Sequence, residues 1–197
     1  QDLDQVIRLS PTFAAAYTNR GVLYSQKRAL NRAIQDYDQA IRLNPASGNA
    51  YNNRGIAYRA MGQEDRAIQD FDKALQLNPG DALAADNRGN AYRAKGDADR
   101  AIQDYDLAVK LNPENAATFN SRGLAYAAKG DADRAIRDYD QAIKLNPKFA
   151  LALNGRGNAY TDKRDFARAL QDYGQAIKLN PKFAAAFVGR GNVNFLD

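Results

Sequence analysis

The sequence predicts an all-α fold in which one pair of antiparallel helices is repeated along the chain. Similar blocks recur every 34 residues, as in NRGIAY from Asn53, NRGNAY from Asn87 and SRGLAY from Ser121. All six prolines keep this spacing, and all eleven tyrosines keep it in three phases of the repeat. A fixed period of this size is typical of stacked supersecondary units that each contact only their neighbours.

We divide the 197 residues into a single array of five complete repeats with a partial repeat at each end. The complete repeats are 14–47, 48–81, 82–115, 116–149 and 150–183, and the partial repeats are 1–13 and 184–197. The leading fragment matches the second half of a unit, and the trailing fragment matches only its first helix. We therefore expect about twelve helices, and we expect that further sequence flanks this chain.

Apolar spacing places the first helix of each repeat. In the third repeat one helical face carries Ala84, Ala85, Arg88, Gly89, Ala91 and Tyr92. A glycine within a helix costs about 1 kcal/mol relative to alanine, so a recurring glycine on this face indicates close approach of the second helix. We expect alanines of that helix, such as Ala101 and Ala108, to supply the matching small surface while Tyr105 fills the space between the helices. The glycine recurs at Gly21, Gly55, Gly89, Gly123, Gly157 and Gly191.

The turn between the helices reads KGD from Lys95 and from Lys129. Glycine can adopt the left-handed conformation there, and aspartate can cap the second helix. Arg28 and Arg164 replace this glycine in the first and fifth repeats, so we expect those turns to be strained or differently shaped. The second helix runs to an LNP sequence, whose proline ends it.

The repeat resembles the tetratricopeptide repeat, a helix-turn-helix unit of 34 residues, and the resemblance covers the whole chain. In the second repeat it rests on Tyr51, Gly55, Tyr58, Ala67, Phe71, Ala74 and Pro79. It implies a right-handed superhelical solenoid whose concave wall is formed by the first helices. It also implies a non-catalytic protein–protein interaction scaffold that binds an extended peptide or a partner helix in the concave groove.

Composition excludes several kinds of chemistry. The chain has no cysteine and no histidine, which excludes disulfides, thiolate metal sites and histidine acid–base catalysis. No nucleophile–base pair or phosphate loop is visible, so we expect no enzymatic activity and no cofactor. The 28 basic and 23 acidic residues are interspersed and give a net charge of +5.

No apolar run reaches the roughly 18 residues that cross a membrane, so we expect a soluble protein and favour the cytoplasm.

Charged residues recur at fixed positions of the repeat. Residues of an Asp-x-Asp pair such as Asp36/Asp38 point about 200° apart on a helix, so we interpret these pairs as solvated or salt-bridged and not as metal ligands. An unpaired guanidinium on a buried face is too costly, so we predict an internal Arg–Asp ladder. Its arginines are Arg20, Arg54, Arg88, Arg122, Arg156 and Arg190, and its aspartates are Asp2, Asp36, Asp70, Asp104, Asp138 and Asp172.

Polar residues on the side of the first helices that points away from the buried face form the candidate binding surface. Asparagine is a mediocre helix former, and its amide suits bidentate capture of a peptide backbone. Asn19, Asn53 and Asn87 are in phase, like the asparagine ladder of peptide-binding superhelical repeats, until Ser121 and Gly155 interrupt them. The alternative is that these asparagines are merely solvated. The candidate set is Asn19, Asn52, Asn53, Arg59, Asp86, Asn87, Asn90, Arg93, Asn120, Asn154, Asn158 and Thr161.

Arg59 and Arg93 are in phase one repeat apart, and two adjacent guanidiniums suit a carboxylate on a ligand. Chaperone-binding members of the family clamp a C-terminal carboxylate with lysines and asparagines. Thr18, Asn52 and Asp86 stand at one of those lysine positions, so we do not expect that particular partner.

Three other functions stay open beside peptide binding. The chain ends predict weak head-to-tail self-association through the apolar residues Phe187, Val193 and Phe195 at one end and Leu3 and Val6 at the other. The array can also be the substrate-recruiting part of a larger enzyme. Nucleic-acid binding is disfavoured because the aromatic residues lie at core positions, which leaves none for base stacking. No membrane partner is expected.

Overall fold

The computed structural model describes residues 2–195, and within that range the chain forms twelve α-helices and no β-strand. The helices are α1 (Asp2–Leu9), α2 (Ala14–Gln26), α3 (Leu30–Leu43), α4 (Gly48–Ala60), α5 (Glu64–Leu77), α6 (Ala82–Ala94), α7 (Ala98–Leu111), α8 (Ala116–Ala128), α9 (Ala132–Leu145), α10 (Ala150–Asp162), α11 (Phe166–Leu179) and α12 (Ala184–Asn194). The predicted all-α fold and its helix number are confirmed.

The chain forms two compact units, Gln1–Gly96 and Asp97–Asp197. In the first unit each of α1 to α5 packs on the next helix, and the first helices α2, α4 and α6 also contact one another in succession. The second unit repeats this plan from α7 to α12, with α8, α10 and α12 in succession. The first helices of each unit therefore present a continuous surface.

Aromatic rings of the second helices fill the cores, and the recurring glycine makes room for them. Tyr139 is 1% exposed, and a Cβ atom on Gly123 would lie 2.8 Å from its Cε1. Gly55 has the same relation to Phe71, at 2.6 Å. The predicted close approach is therefore confirmed. The atoms nearest the glycine belong to the aromatic ring of the second helix, at the position where the sequence predicted that Tyr105 fills the space.

All the interhelical turns with a left-handed residue have the same form. Gly62, Gly96 and Gly130 have φ values between 72° and 79°, and Arg28 and Arg164 have φ values of 59° and 58°. The two arginine turns are therefore strained and not differently shaped, because a non-glycine residue in this region costs on the order of 1–3 kcal/mol.

An aspartate caps three of the described second helices. The carboxylate of Asp131 accepts the backbone N–H of Arg134 at 2.9 Å and caps α9. Asp97 and Asp165 cap α7 and α11 in the same way, which confirms the predicted caps.

Candidate functional site

The arginine of a first helix pairs with an aspartate of the second helix in the same repeat. Arg20 donates from Nε and Nη2 to the two carboxylate oxygens of Asp36, at 2.8 and 2.7 Å. The same bidentate pair joins Arg54 to Asp70, Arg122 to Asp138 and Arg156 to Asp172. These aspartates are 3–5% exposed. The predicted ladder is confirmed in four repeats.

Each of these arginines also binds an aspartate of the preceding repeat. Arg54 Nη1 donates to Asp38 Oδ1 at 2.6 Å. The equivalent bonds join Arg20 to Asp4, Arg88 to Asp72, Arg122 to Asp106 and Arg156 to Asp140. The carboxylates raise the pKa of Arg54 above its ordinary value, chiefly through the hydrogen bonds that Arg54 donates to Asp70. The Asp-x-Asp pairs are therefore salt-bridged, and the ladder is structural.

Arg190 is an exception to the ladder. Gly174 stands where earlier repeats carry the second aspartate, and Arg190 forms no ion pair with any residue between 2 and 195. Its guanidinium carbon lies 5.4 Å from the ring centroid of Phe187. The prediction that every one of these arginines finds a carboxylate is therefore wrong for Arg190.

In the first unit, several predicted binding residues bind one another. Asn87 Nδ2 donates to Asn52 Oδ1 at 3.1 Å, and Asn52 is 9% exposed. Asn90 Nδ2 donates to a carboxylate oxygen of Asp86 at 2.9 Å. Asn53 is half-buried and Asn19 is exposed. The predicted ladder of Asn19, Asn53 and Asn87 is therefore not a row of equally available amides.

Arg59 and Arg93 lie at equivalent positions of α4 and α6. Arg93 is exposed, whereas Arg59 is half-buried and its Nη1 has no hydrogen-bond partner within the described range. In the first and fifth repeats this position carries a hydroxyl, which contacts the tyrosine hydroxyl of the second helix, as Ser25 does with Tyr37 at 3.2 Å. Phe71 offers no such hydroxyl to Arg59.

The nearby Glu64 is the first residue of α5, and its buried Oε2 likewise has no partner among residues 2–195. Burial raises the pKa of the Glu64 carboxyl, and the charge of Arg59 opposes this shift.

In the second unit, two asparagines at equivalent positions keep unsatisfied oxygens. Asn120 is 8% exposed and Asn154 is half-buried. The Oδ1 of each is buried and accepts no hydrogen bond from the part of the chain that the structure describes. In the first unit Asn87 supplies the donor to Asn52, but Gly155 and Gly189 occupy its position in the following repeats. The interruption of the asparagine ladder is thus the reason for these free acceptors.

A polar cleft of about 310 Å³ lies among α10, α11 and α12. We use the name polar cleft for the surface lined by Asn158, Thr161, Asp162, Tyr173, Gly189 and Asn192. Tyr173 donates its hydroxyl proton to Asn158 Oδ1 at 2.8 Å. Gly189 leaves room for this tyrosine, since a Cβ atom there would lie 2.9 Å from its hydroxyl oxygen.

Sequence reasoning identified Asn158 and Thr161 but missed the other residues of the polar cleft. Tyr173 is 1% exposed and lies at a core position, so its hydroxyl was not expected at this surface. The signal that could have found it is the glycine at the asparagine position, which opens the side of the tyrosine in the fifth repeat.

The residues predicted for head-to-tail association differ in exposure. Phe187 and Phe195 are 43% and 94% exposed, but Val193 is fully buried against the core of the second unit, so its predicted exposure is wrong. Leu3 and Val6 are half-buried. The terminal residues Gln1 and Asp197 lie outside the described residues.

Within residues 2–195, no three or more aspartate, glutamate, histidine or cysteine side chains are placed to hold a metal ion. No helix in this range has the length and apolar character to cross a membrane.

Comparison with protein families gives matches along most of the chain. A family described as tetratricopeptide repeat matches residues 14–47, 48–81 and 150–183. A second family with that description matches residues 71–103, and one described as TPR repeat matches residues 89–130 and 123–164. No curated protein sequence matches the chain at a significant level.

Solved structures share this fold. YrrB, described as a TPR protein with an unusual peptide-binding site, has a TM-score of 0.78 and 24% identity, with 97% of this chain and 98% of that chain covered. MamA has a TM-score of 0.76 and 26% identity, with 87% and 93% covered. PilF of Pseudomonas aeruginosa has a TM-score of 0.84 and 18% identity, with 100% and 86% covered.

Proposed function

This chain belongs to the tetratricopeptide repeat family, and from that premise we propose that it is a non-catalytic interaction scaffold whose first helices bind an extended peptide segment of a partner protein. The first-helix face is the exposed surface of α2, α4 and α6 in the first unit and of α8, α10 and α12 in the second.

Unsatisfied polar groups on the first helices support this proposal most directly. Arg59 has a buried donor without a partner, and Asn120 and Asn154 have buried acceptors without partners, within residues 2–195. Leaving such a group unpaired costs about 1–3 kcal/mol. The ladder arginine Arg54, by contrast, has carboxylate partners on two second helices. A ligand that forms hydrogen bonds with these unpaired groups therefore gains free energy that the fold alone does not supply.

An extended peptide offers the hydrogen-bond donors and acceptors that these groups lack. Its backbone offers an N–H donor and a C=O acceptor at nearly every residue, so it can satisfy both an amide oxygen and a guanidinium. Binding of this kind depends little on the side chains of the ligand. YrrB is described as having a peptide-binding site, and this likeness supports the same class of ligand here.

The test is selection of peptides from a random displayed library on the purified chain, followed by affinity measurement. We expect the triple variant Arg59→Gln, Arg93→Gln and Asn154→Ala to bind the selected peptides at least tenfold more weakly. The matched control changes two arginines and one side-chain amide that are exposed on second helices, with Arg42→Gln, Arg137→Gln and Gln171→Ala. Failure to recover any peptide, or equal weakening in both triple variants, would overturn the proposal.

A second candidate function is head-to-tail self-association, and a charge relationship favours it. Arg190 on α12 has no carboxylate partner in the described part of the chain, and Asp2 on α1 is exposed. In four repeats, arginine and aspartate at these two positions form the bidentate pair. Light scattering across a hundredfold range of concentration tests this candidate: a rising mass that Arg190→Gln abolishes supports it, and a constant monomer mass rejects it.

A further inference from the structure

The polar cleft is negatively charged although the whole chain carries a net charge of +5. Asp162 is the only acidic or basic residue in its lining, apart from the phenol of Tyr173. Burial raises the pKa of Tyr173 above 10.0, so the phenol is neutral at neutral pH. Asp162 is exposed and has no ion-pair partner among residues 2–195, and the adjacent Lys163 binds Asp133 instead.

The stability of α10 does not explain this carboxylate. Asp162 is the last residue of α10, where a negative charge is unfavourable because the helix dipole is negative at its C-terminus. The common repeat does not require an acid there either. The equivalent residues of the other complete repeats are Gln26, Ala60, Ala94 and Ala128.

The cleft presents hydrogen-bond acceptors on one side of α10. Asn158, Thr161 and Asp162 are spaced i, i+3 and i+4, which places them on one helical face. The protons of the neighbouring hydroxyls have partners within the protein: Tyr173 donates to Asn158 Oδ1, and Thr161 donates to the carbonyl oxygen of Gly157 at 3.0 Å. These oxygens therefore offer a ligand only their remaining lone pairs, as hydrogen-bond acceptors.

From this arrangement we propose that the polar cleft binds the side-chain ammonium group of a lysine in the peptide partner, an inference that rests on the proposed function. An ammonium is a compact charge with three donors, which match the Asp162 carboxylate, the Asn158 amide oxygen and the Thr161 hydroxyl oxygen. The volume of about 310 Å³ accommodates the aliphatic part of the lysine side chain.

A guanidinium fits this cleft less well than an ammonium. Arginine gains affinity from stacking on an aromatic face and from bidentate pairing. The ring of Tyr173 is 1% exposed and offers no face for stacking. The fork of a guanidinium also directs its donors in one plane, whereas the acceptors here come from three side chains along one helical face.

The test uses a blocked lysine, Nα-acetyl-lysine N-methylamide, as the probe and follows it by NMR of the isotope-labelled chain. We expect shifts confined to the side-chain amides of Asn158 and Asn192 and to the backbone of α10 and α12. The equivalent norleucine derivative, which lacks the ammonium, is expected to produce none of these shifts. Asp162→Asn should weaken lysine binding at least fivefold. Glu114→Gln is the matched control, because it makes the same charge change at an exposed turn of the same unit.

Each outcome of this experiment is decisive for the cleft. Absence of lysine-dependent shifts, or equal binding to the Asp162→Asn variant, would overturn the inference. The equivalent arginine derivative is a third probe, and if it binds more tightly than the lysine derivative, the assignment to lysine would be overturned. Because the probe is a single blocked residue, these results do not depend on the peptide selection that tests the proposed function, and the two failures can be told apart.

Discussion

Asp36 binds the arginine of its own repeat, whereas Asp38, two residues further along α3, binds the arginine of the next repeat. Residues two apart on a helix point about 200° away from each other, so one short motif reaches arginines on both neighbouring first helices. The first bond holds a helix pair together, and the second holds that pair to the next one.

The two kinds of aspartate should differ in their effect on stability. Asp138 has a side chain that is 8% exposed and binds Arg122, whereas the side chain of Asp140 is 49% exposed and binds Arg156. Breaking a buried pair leaves an uncompensated charge and costs about 3–5 kcal/mol, while exposed pairs contribute about 1 kcal/mol or less. Since Arg122 keeps some contact with water, we expect a loss of about 2 kcal/mol for Asp138→Asn and under about 1 kcal/mol for Asp140→Asn. Urea unfolding measures both, and equal losses would contradict the distinction.

The recurring glycine leads to a prediction about stability, and the chain itself provides a control position. Gly123→Ala would place a Cβ atom 2.8 Å from the Tyr139 ring, and we expect it to destabilise the chain by about 1–3 kcal/mol through overpacking. Gly191→Ala is the control at the same repeat position, where no atom lies within 4 Å of the added Cβ. It should be neutral or stabilising by up to about 1 kcal/mol, because alanine favours helix. Thermal unfolding compares the two variants, and a stable Gly123→Ala variant would refute this account of the glycine.

Restoring the missing aspartate of the fifth repeat should strengthen α12. Gly174 has open space around an added Cβ, and in other repeats the equivalent aspartate binds the arginine that corresponds to Arg190. We expect Gly174→Asp to slow hydrogen exchange of the α12 amides. Gly174→Ala measures the gain from helix propensity alone, about 1 kcal/mol. If the ion pair forms, the extra protection given by aspartate disappears when Arg190→Gln is added.

The cap of α9 predicts a local response to acid. The backbone N–H and the guanidinium of Arg134 hold the pKa of Asp131 below its ordinary value of 3.8. A carboxyl with a depressed pKa in the folded state contributes its stabilisation above the unfolded pKa and loses it as the pH falls through the folded pKa. The Arg134 amide should therefore titrate by NMR with an apparent pKa below 3.8.

An uncapped helix of the same chain and one variant of this cap provide the comparison. The helix α3 begins after Ala29, which makes no side-chain cap hydrogen bond, and its first turn carries no acidic residue, so this turn should show no corresponding local titration. Asp131→Asn keeps a capping oxygen and should abolish the titration of the Arg134 amide. An apparent pKa at or above 3.8 would contradict the proposed cause of the shift.

Much of the fold follows from the sequence because the repeats provide an internal alignment. The pairing of Arg20 with Asp36 was predictable, since both residue types recur at fixed positions and a buried guanidinium needs a carboxylate. The bond between Arg54 and Asp38 was not predicted, because it joins different positions of successive repeats. It becomes visible only once the spacing between helix pairs is known.

The candidate site was less predictable than the fold, because the availability of a side chain depends on its neighbours at hydrogen-bond distance. Asn52 and Asn120 occupy the same repeat position, yet only Asn52 has an asparagine of the next repeat to satisfy it. The hydroxyl of Tyr173 reaches the polar cleft because Gly189 has no side chain in its path. Periodicity identifies positions on a helical face, but it does not determine these distances.

The bonds between successive repeats have a consequence for how such a chain evolves. Apart from the joint at Gly174 and Arg190, each described joint uses the same pair, an aspartate from one unit and an arginine from the next, as in Asp106 with Arg122 and Asp140 with Arg156. Duplication or loss of a whole unit of 34 residues therefore recreates a compatible joint without any further mutation. A change of any other length would place a different residue opposite the arginine and leave its charge uncompensated. Gene lengthening in this family of sequences is thus expected to proceed in whole units, and each added unit brings a new first-helix surface whose residues can diverge while its joints stay the same.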